Sequence, residues 1–348
     1  MYPSPPVTNM RCILRYYLQM PATNAGQEEP MTGAKETPKC TVIVPVFNSE
    51  RWVESTLRSI QNQSYSAWEC LVINDGSTDN SRLLIEEFVR DDSRFKLINT
   101  NNQGVAKARN LGILNALGEF LAFLDADDIW LPNKLELQIK SLTDDIIADY
   151  TLANYFIFKD STLKIVARVH LKKLNTLIRH WFDFTGDGPA AASTLMIKRA
   201  SITRVGGYNT ELHSTADLDL MLKLQNKFKY VPTKKILVGY RIHDEQMHSD
   251  LQKISKEFLI LSQLYISNKT KERRYRLRVR NYLYLAAAVQ ESQRNVFGYI
   301  KVIVANPGSF FLFLQLFRKT VSRRILLLNK TRTKLIVSIL KSLHKDQS

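Results

Sequence analysis

Between Lys39 and Leu124, short apolar runs alternate with longer stretches whose apolar residues recur at helical spacing. The first run, Cys40-Thr-Val-Ile-Val-Pro-Val46, is β-branched and of strand length. Asn48 or Ser49 then offers a helix cap, Glu50 falls in the expected first turn, and Trp52, Val53, Leu57 and Ile60 form an apolar stripe. Trp68 to Ile73 is a second predicted strand. It ends in Asn74-Asp-Gly-Ser-Thr-Asp79, a polar loop whose Gly76 permits a tight turn. A helix follows, with Leu84, Ile85, Phe88 and Val89 on one face. Phe95 to Ile98 is the third strand, Asn99 to Gly104 a loop, Val105 to Leu117 a helix, and Phe120 to Leu124 the fourth strand. This alternation predicts βαβ units and an α/β fold with a mostly parallel central sheet flanked by helices. Right-handed crossovers place the strand-to-loop junctions on one edge, so Phe47-Asn48, Asn74-Asp75 and Asp125-Ala-Asp127 should meet around one crevice.

Beyond Pro132 the pattern predicts a charged helix over Asn133 to Leu142. Strands follow over Tyr150 to Phe158, Leu163 to Val169, Ala191 to Lys198 and Lys235 to Ile242. Val205-Gly-Gly-Tyr208 reads as a turn, and Ser214 to Lys223 as a loop feeding a helix. From Leu251 the chain becomes helical and basic. Leu251, Ile254, Phe258 and Leu261 form one stripe, and Phe310, Phe313, Leu314, Phe317, Val321 and Ile325 form another, interleaved with Arg318, Lys319, Arg323 and Arg324. No apolar run there approaches the roughly 20 residues that span a bilayer. Met1 to Pro38 lacks sustained periodicity and reads as a mostly disordered leader. The expected organisation is therefore a leader (1–38), an α/β domain (39–250) and a basic amphipathic helical region (251–348).

Charge changes the picture at the carboxyl end. The net charge of the 348 residues is +16, and Lys253 to Ser348 holds about twenty Lys and Arg against about four acids. A basic region beside a near-neutral domain points to a polyanionic partner. The aromatics there lie on the apolar stripes, which suits an anionic membrane surface, or a helical subdomain packed on the α/β domain with its charges solvated, better than a specific nucleic acid. Cys12, Cys40 and Cys70 form no C-x-x-C pair and leave an odd count. That argues against a disulfide framework or a zinc site and fits a reducing cytosol.

The fourth strand ends abruptly in acid: Phe120-Leu-Ala-Phe-Leu-Asp-Ala-Asp-Asp128. Carboxylates at the carboxyl end of a buried strand sit where open α/β sheets bind ligands. Asp125 and Asp127 are two apart, so an extended backbone would point both the same way. Two aligned hard oxygens suit Mn²⁺ or Mg²⁺, leaving positions for water and substrate phosphates. A solvated acidic turn is the alternative.

The ordered set Val42-Ile-Val-Pro-Val-Phe-Asn48, Val72-Ile-Asn-Asp-Gly-Ser-Thr-Asp79, Asn102-Gln-Gly-Val-Ala-Lys-Ala-Arg-Asn110, Gly118 to Asp128, Val205-Gly-Gly-Tyr208, Ala216-Asp217 and Tyr240-Arg-Ile-His243 resembles family 2 of the inverting nucleotide-sugar glycosyltransferases, over about Lys39 to Ser249. The resemblance implies a GT-A fold, a metal-dependent hexosyl transfer from a nucleotide-sugar donor, most readily a UDP-sugar, and a saccharide or lipid-linked saccharide acceptor of cell-envelope polysaccharide synthesis. It implies a cytoplasmic protein, peripheral on the inner face of the cell membrane. It assigns Asp75 to the nucleotide base, with a loop-capping aspartate the alternative, Asp125 to the ribose and metal shell, Asp127 to the metal, and His243 to the neighbourhood of metal and diphosphate, with a structural histidine the alternative. Pro45, Phe47 and Asn48 would border the donor, with core packing the alternative for Phe47. Arg109, with Asn110, would assist the diphosphate, unless it is a solvated helix residue. Asp217 matches the general base, with Asp219 the substitute. Family members usually carry Glu-Asp where this chain has Ala216-Asp217, which bears on how the acceptor is held.

Two other classes compete. A dinucleotide-dependent dehydrogenase would need G-x-G-x-x-G after the first strand, but Pro45-Val-Phe-Asn48 contains no glycine. A catalytically weakened transferase-like module with a polyanion-binding tail would account for Ala216 and the tail charge, and is opposed by the intact acidic triplet.

Overall fold

A computed structural model describes residues 37–171, 192–243 and 251–266, the side chains of 251–255 excepted. Nearly all of the expected leader, and the basic region beyond Ile266, lie outside the described residues. The chain divides into two units, Met1–Glu257 and Phe258–Ser348.

The first unit is built on one sheet in the order β3-β2-β1-β4-β8-β6-β9-β5, with β7 beside β6. Its strands are β1 (Cys40–Val46), β2 (Trp68–Asp75), β3 (Phe95–Thr100), β4 (Phe120–Phe123), β5 (Ile129–Trp130), β6 (Tyr150–Lys159), β7 (Ile165–Val169), β8 (Leu195–Lys198) and β9 (Tyr230–Ile242). The helices are α1 (Val53–Gln61), α2 (Ser81–Asp91), α3 (Val105–Asn115), α4 (Lys134–Asp144), α5 (Arg199–Arg204) and α6 (Ala216–Gln225). A seventh, α7 (Leu251–Tyr265), crosses the unit boundary. β1 to β4 pair in parallel. β8 runs against β4 and against β6, so β6 and its parallel partner β9 point the same way as β1. β5 and β7 run against β9 and β6, in the direction of β8. The α/β architecture is therefore a mostly parallel, mixed sheet flanked by helices, as expected.

Every residue of β1 and β2 is buried, because helices cover both faces of this half. Val42 and Val44 join a core with Val53, Leu57 and Ile60 of α1 and Ile85 and Phe88 of α2. On the other face α3 approaches β1 so closely that a Cβ on Gly112 would stand 2.4 Å from Ile43 Cγ2, so only glycine fits there. Each fully buried Val, Leu or Ile contributes about 1.5–3 kcal/mol relative to exposure.

Several boundaries differ from the sequence expectation. The helix after β1 starts at Val53, and neither Asn48 nor Ser49 caps it. Asn48 adopts φ 48° and its Oδ1 accepts from Thr78 N at 2.8 Å, while Ser49 Oγ donates to Phe47 O. Asn74 and Asp75 extend β2 because β3 continues opposite them. Residues 192–194 form a 3-10 turn ahead of β8, and the short elements β5 and α5 carry no periodic signal. The stripe beginning at Leu251 is helical, and Phe258 and Leu261 are buried. None of the described helices is long and apolar enough to cross a membrane.

One buried residue opposes the fold at low pH. Lys134, fully buried at the start of α4, holds Nζ 3.7 Å from the Trp130 ring centroid and has no hydrogen-bond partner among the described residues. Burial pulls its pKa down to about 7. The unfolded chain keeps that proton to about pH 10.4. Between these values the unfolded state binds more protons, so Lys134 makes stability rise with pH from about 7 to 10, and its cost is full below 7. Lys134→Met, which keeps the stem, should raise the melting temperature at pH 6, by a gain on the order of 2 kcal/mol. It should also flatten the rise between pH 7 and 10. Thermal melts of both proteins at pH 6, 8 and 9.5 check this.

Candidate active site

Because β1, β2, β4 and β9 run the same way, their carboxyl ends share one edge, and the start of antiparallel β8 joins them there. That edge gathers the loops carrying Phe47, Asp75, Asp125 to Asp128, Ser193 and His243.

The acidic triplet does not continue β4. The strand ends at Phe123 and the backbone turns at Ala126 and Asp127, so Asp125 and Asp127 are not aligned by an extended chain. The three carboxylates separate. Asp125 accepts from Arg109 Nη2 at 2.6 Å. Asp127 Oδ2 lies 2.9 Å from His243 Nε2. Asp128, fully buried, accepts from Ser193 Oγ at 2.6 Å and from Arg241 N at 3.0 Å. Burial, with Asp127 and Asp125 adding, pushes the Asp128 carboxyl well above the usual range. Asp128 thus ties the turn to β8 and β9, while Asp125 and Asp127, at 24% and 28% exposure, stay open to the crevice.

Arg109, on the first turns of α3, is buried and not a solvated helix residue. Nη2 holds Asp125 and Nη1 holds Asp217 Oδ1 at 3.1 Å, with the Tyr208 ring centroid 5.0 Å from its guanidinium carbon. Burial works against its charge, but Asp217 and Asp125 outweigh it and hold the proton more firmly than usual. Burial pushes the Asp125 carboxyl up, Arg109 pulls against it, and Asp217 and Asp127 leave it raised. Asn110 faces away: its amide exchanges hydrogen bonds with Tyr208 O and N and holds the Gly206-Gly207 turn.

Asp217 stands in the first turn of α6 with its side chain 20% exposed. Asp219 is fully buried and paired with Lys223 Nζ at 2.7 Å, so it cannot meet a substrate hydroxyl. Ala216 is fully buried too. Asp75 is 3% exposed, and its two oxygens accept from Gln103 N at 2.9 Å and Gly104 N at 2.8 Å, fixing the loop before α3. Pro45 is buried within β1, whereas Phe47 exposes 45% of its surface beside the edge.

His243 stacks on Trp52, with ring centroids 3.9 Å apart. Beside it Arg241, 1% exposed, donates from Nε to Asp127 O at 2.6 Å, from Nη1 to Asp160 at 2.7 Å and from Nη2 to Ser55 Oγ at 3.1 Å. Asp127 and His243 present an oxygen and an imidazole nitrogen at one point, a donor pair that suits a divalent cation completing its shell with water and phosphate. No set of three such ligands is present among the described residues. Sequence reading missed Arg241, Asp160, Ser193 and Trp52 as supports of the triplet. The Tyr240-Arg-Ile-His243 motif contained the signal for Arg241; Ser193 sits in a 3-10 turn and offered none.

Residues 41–203 match the family model described as Glycosyl transferase family 2. The chain is 40% identical over 124 residues to the UDP-Glc:alpha-D-GlcNAc-diphosphoundecaprenol beta-1,3-glucosyltransferase WfgD of Escherichia coli, covering 35% of this chain and 48% of that protein. It is 39% identical over 123 residues to the glycosyltransferase GlyA of Streptococcus pneumoniae, covering 35% of this chain and 18% of that protein. The chain thus spans less than half the length of these curated relatives. Its fold is that of the crystal structure of S. aureus TarS 1-349 in complex with UDP-GlcNAc. That match has a TM-score of 0.53 and 19% identity, and covers 76% of this chain and 79% of that one.

Removing the Arg241 guanidinium should be costly, because Asp160 and the Asp127 carbonyl lose a buried partner. Arg241→Leu is expected to lower the unfolding free energy by about 3–5 kcal/mol, read as a fall in the urea midpoint. Arg241→Lys should recover only part, since one ammonium cannot reproduce the planar fork.

Proposed function

We propose, from the premise that residues 41–203 form a glycosyl transferase family 2 domain, that the chain is an inverting, metal-dependent glycosyltransferase. In this reading it moves a sugar from a UDP-sugar to a hydroxyl of a saccharide or lipid-linked saccharide. The observation that carries this reading is the Arg109 bridge. It joins Asp125, on the edge where open sheets bind ligands, to Asp217, on a helix 92 residues further on, and both carboxylates remain open to the crevice.

In this reading the donor lies along the edge from Phe47 to Asp125. Phe47 offers an exposed aromatic surface to the base. Asp75 shapes the pocket through the Gln103 and Gly104 amides, and each of its oxygens retains a lone pair for a uracil imide N–H. Asp127 and His243, with Asp125 beside them, would hold Mn²⁺ or Mg²⁺, which when bound neutralises charge on the leaving diphosphate. Asp217 takes the proton of the acceptor hydroxyl as that oxygen attacks the anomeric carbon from the face opposite the nucleotide. The bond from the anomeric carbon to the diphosphate oxygen breaks, and the nucleoside diphosphate leaves. Arg109 aims Asp217 through its Nη1 hydrogen bond to Oδ1 and contributes no proton. WfgD, by its name, uses a UDP-sugar and a diphosphoundecaprenol-linked acceptor, which supports a similar pair of substrates here.

Two substitutions separate donor binding from chemistry. Asp127→Asn should abolish Mn²⁺-dependent UDP-sugar binding in a thermal-shift panel, where a ligand at about 100 times its Kd adds roughly 2.7 kcal/mol. Asp217→Asn should bind the donor normally and release UDP about 10²–10⁴-fold more slowly. Turnover of the wild-type chain that is indifferent to EDTA would sink the metal assignment.

In this reading the basic region, Lys253 to Ser348, holds the activity at the cytoplasmic face of a membrane. Juxtamembrane Lys and Arg contribute about 1 kcal/mol each near an anionic leaflet. The full chain should sediment with anionic vesicles and less with neutral ones, and a chain truncated after Asn306 should remain in the supernatant. Equal partitioning of the two would defeat this placement.

A further inference from the structure

We propose that Glu257 is a positioning residue for transfer: its buried carboxylate holds the segment that delivers Asp217. The inference rests on the reading of Asp217 as the general base. Glu257 lies 40 residues beyond Asp217 on α7, is 4% exposed, and belongs to the first unit. Its Oε1 accepts from His213 N at 3.1 Å, and its Oε2 accepts from Thr215 N at 2.8 Å and Thr215 Oγ1 at 3.0 Å.

These donors lie in the segment that opens α6. Thr215 occupies the N-cap position, where a threonine hydroxyl would ordinarily accept from the helix's own first-turn amides, yet it makes no such bond. Its hydroxyl is turned over to Glu257 instead. A carboxylate fixed at a helix start also meets the positive end of the helix dipole. A residue distant in sequence thus does what a local cap does elsewhere. The opposite side of the segment is held as well. Gly104, at φ 93°, brings its backbone so close to the His213 ring that a Cβ would lie 3.2 Å from two ring atoms, and the Gly104 amide is bound to Asp75. Residues 213–215 are therefore seated between the donor-side loop and Glu257. Asp217 follows two residues later and accepts from Arg109 Nη1 at 3.1 Å.

Among the described residues, none of the hydrogen bonds that hold the donor-side carboxylates involves Glu257. Asp75, Asp125 and Asp127 are positioned by β2, β4, Arg109 and Arg241. Loosening the start of α6 should therefore impair chemistry and spare donor binding. A displacement of about 1 Å at a catalytic group can cost on the order of 10²-fold.

The test uses the full chain. Glu257→Gln keeps the shape but places an amide donor where an oxygen accepted. UDP affinity is titrated in Mn²⁺, and turnover is followed as UDP release from the UDP-sugar that the thermal-shift panel selects for the wild type. The expected result is UDP affinity within about twofold of wild type and turnover lowered roughly 10- to 100-fold. Thr215→Val, which removes one donor to the same carboxylate, should give a smaller loss of the same kind, and it carries the test if Glu257→Gln fails to fold. Turnover falling in parallel with UDP affinity, or wild-type turnover in the variants, overturns the proposal. Asp217→Asn is measured alongside. If it turns over normally, the base reading itself has failed. If it is inactive while Glu257→Gln is unimpaired, only the role of Glu257 falls.

Discussion

A single buried guanidinium holds the two halves of the candidate site together. Arg109 arrives on α3, between β3 and β4, and reaches both the carboxylate at the end of β4 and the one that opens α6. A buried arginine needs compensation for lost hydration, and two carboxylates supply it. Each carboxylate, in turn, is held near a like charge only because the cation lies between them. A lysine could not do the same, since a point charge on a flexible stem does not present two fixed donors in one plane. The arrangement holds Asp125 and Asp217 at a set separation, and it leaves part of each open to solvent.

A second buried arginine performs the matching task on the other side of the acidic turn. Arg241 holds the backbone of Asp127 and leaves the carboxylate of Asp127 facing His243. Asp128 and Ser193 complete the frame by tying the turn to the start of β8 and the end of β9. Three acids with one alanine among them therefore have three distinct partners: Asp125 pairs with Arg109, Asp127 faces His243, and Asp128 is buried against Ser193 and the Arg241 amide. Sheet direction makes this possible. The strands that bring Asp125, Asp75 and His243 all run the same way, so their loops open on one edge, and β8 contributes its beginning because it runs against them.

Much of this was legible in the residues. β1 to β4 and α1 to α4 follow from the alternation of apolar runs and helical stripes, and burial on both faces explains why those strands are apolar throughout. The meeting of Asp75, Asp125 and Phe47 on one edge follows from parallel pairing and crossover handedness alone. What misled was local geometry. The Asp125-Ala-Asp127 spacing suggests aligned carboxylates if the chain stays extended, but the chain turns, because Asp128 is drawn inward by Ser193 and the Arg241 amide. Asn48 and Ser49 look like caps, but the Asn48 side chain bonds the Thr78 loop and the Ser49 hydroxyl bonds Phe47 O.

Sequence by itself determined the strand and helix periods, the edge on which the loops collect and the identity of the carboxylates, because these depend on spacing along the chain. Tertiary structure decided which carboxylate pairs with what. The partners of Asp217, Asp128 and Glu257 lie from 42 to 113 residues away, counting Thr215 for Glu257, Arg109 for Asp217 and Arg241 for Asp128. It also excluded Asp219 as a base by burying it against Lys223, and it turned Arg109 from a solvated helix position into the bridge of the site. Such choices depend on the cost of leaving a buried charge or amide unpaired, and that cost is set by neighbours in space that no local pattern reveals.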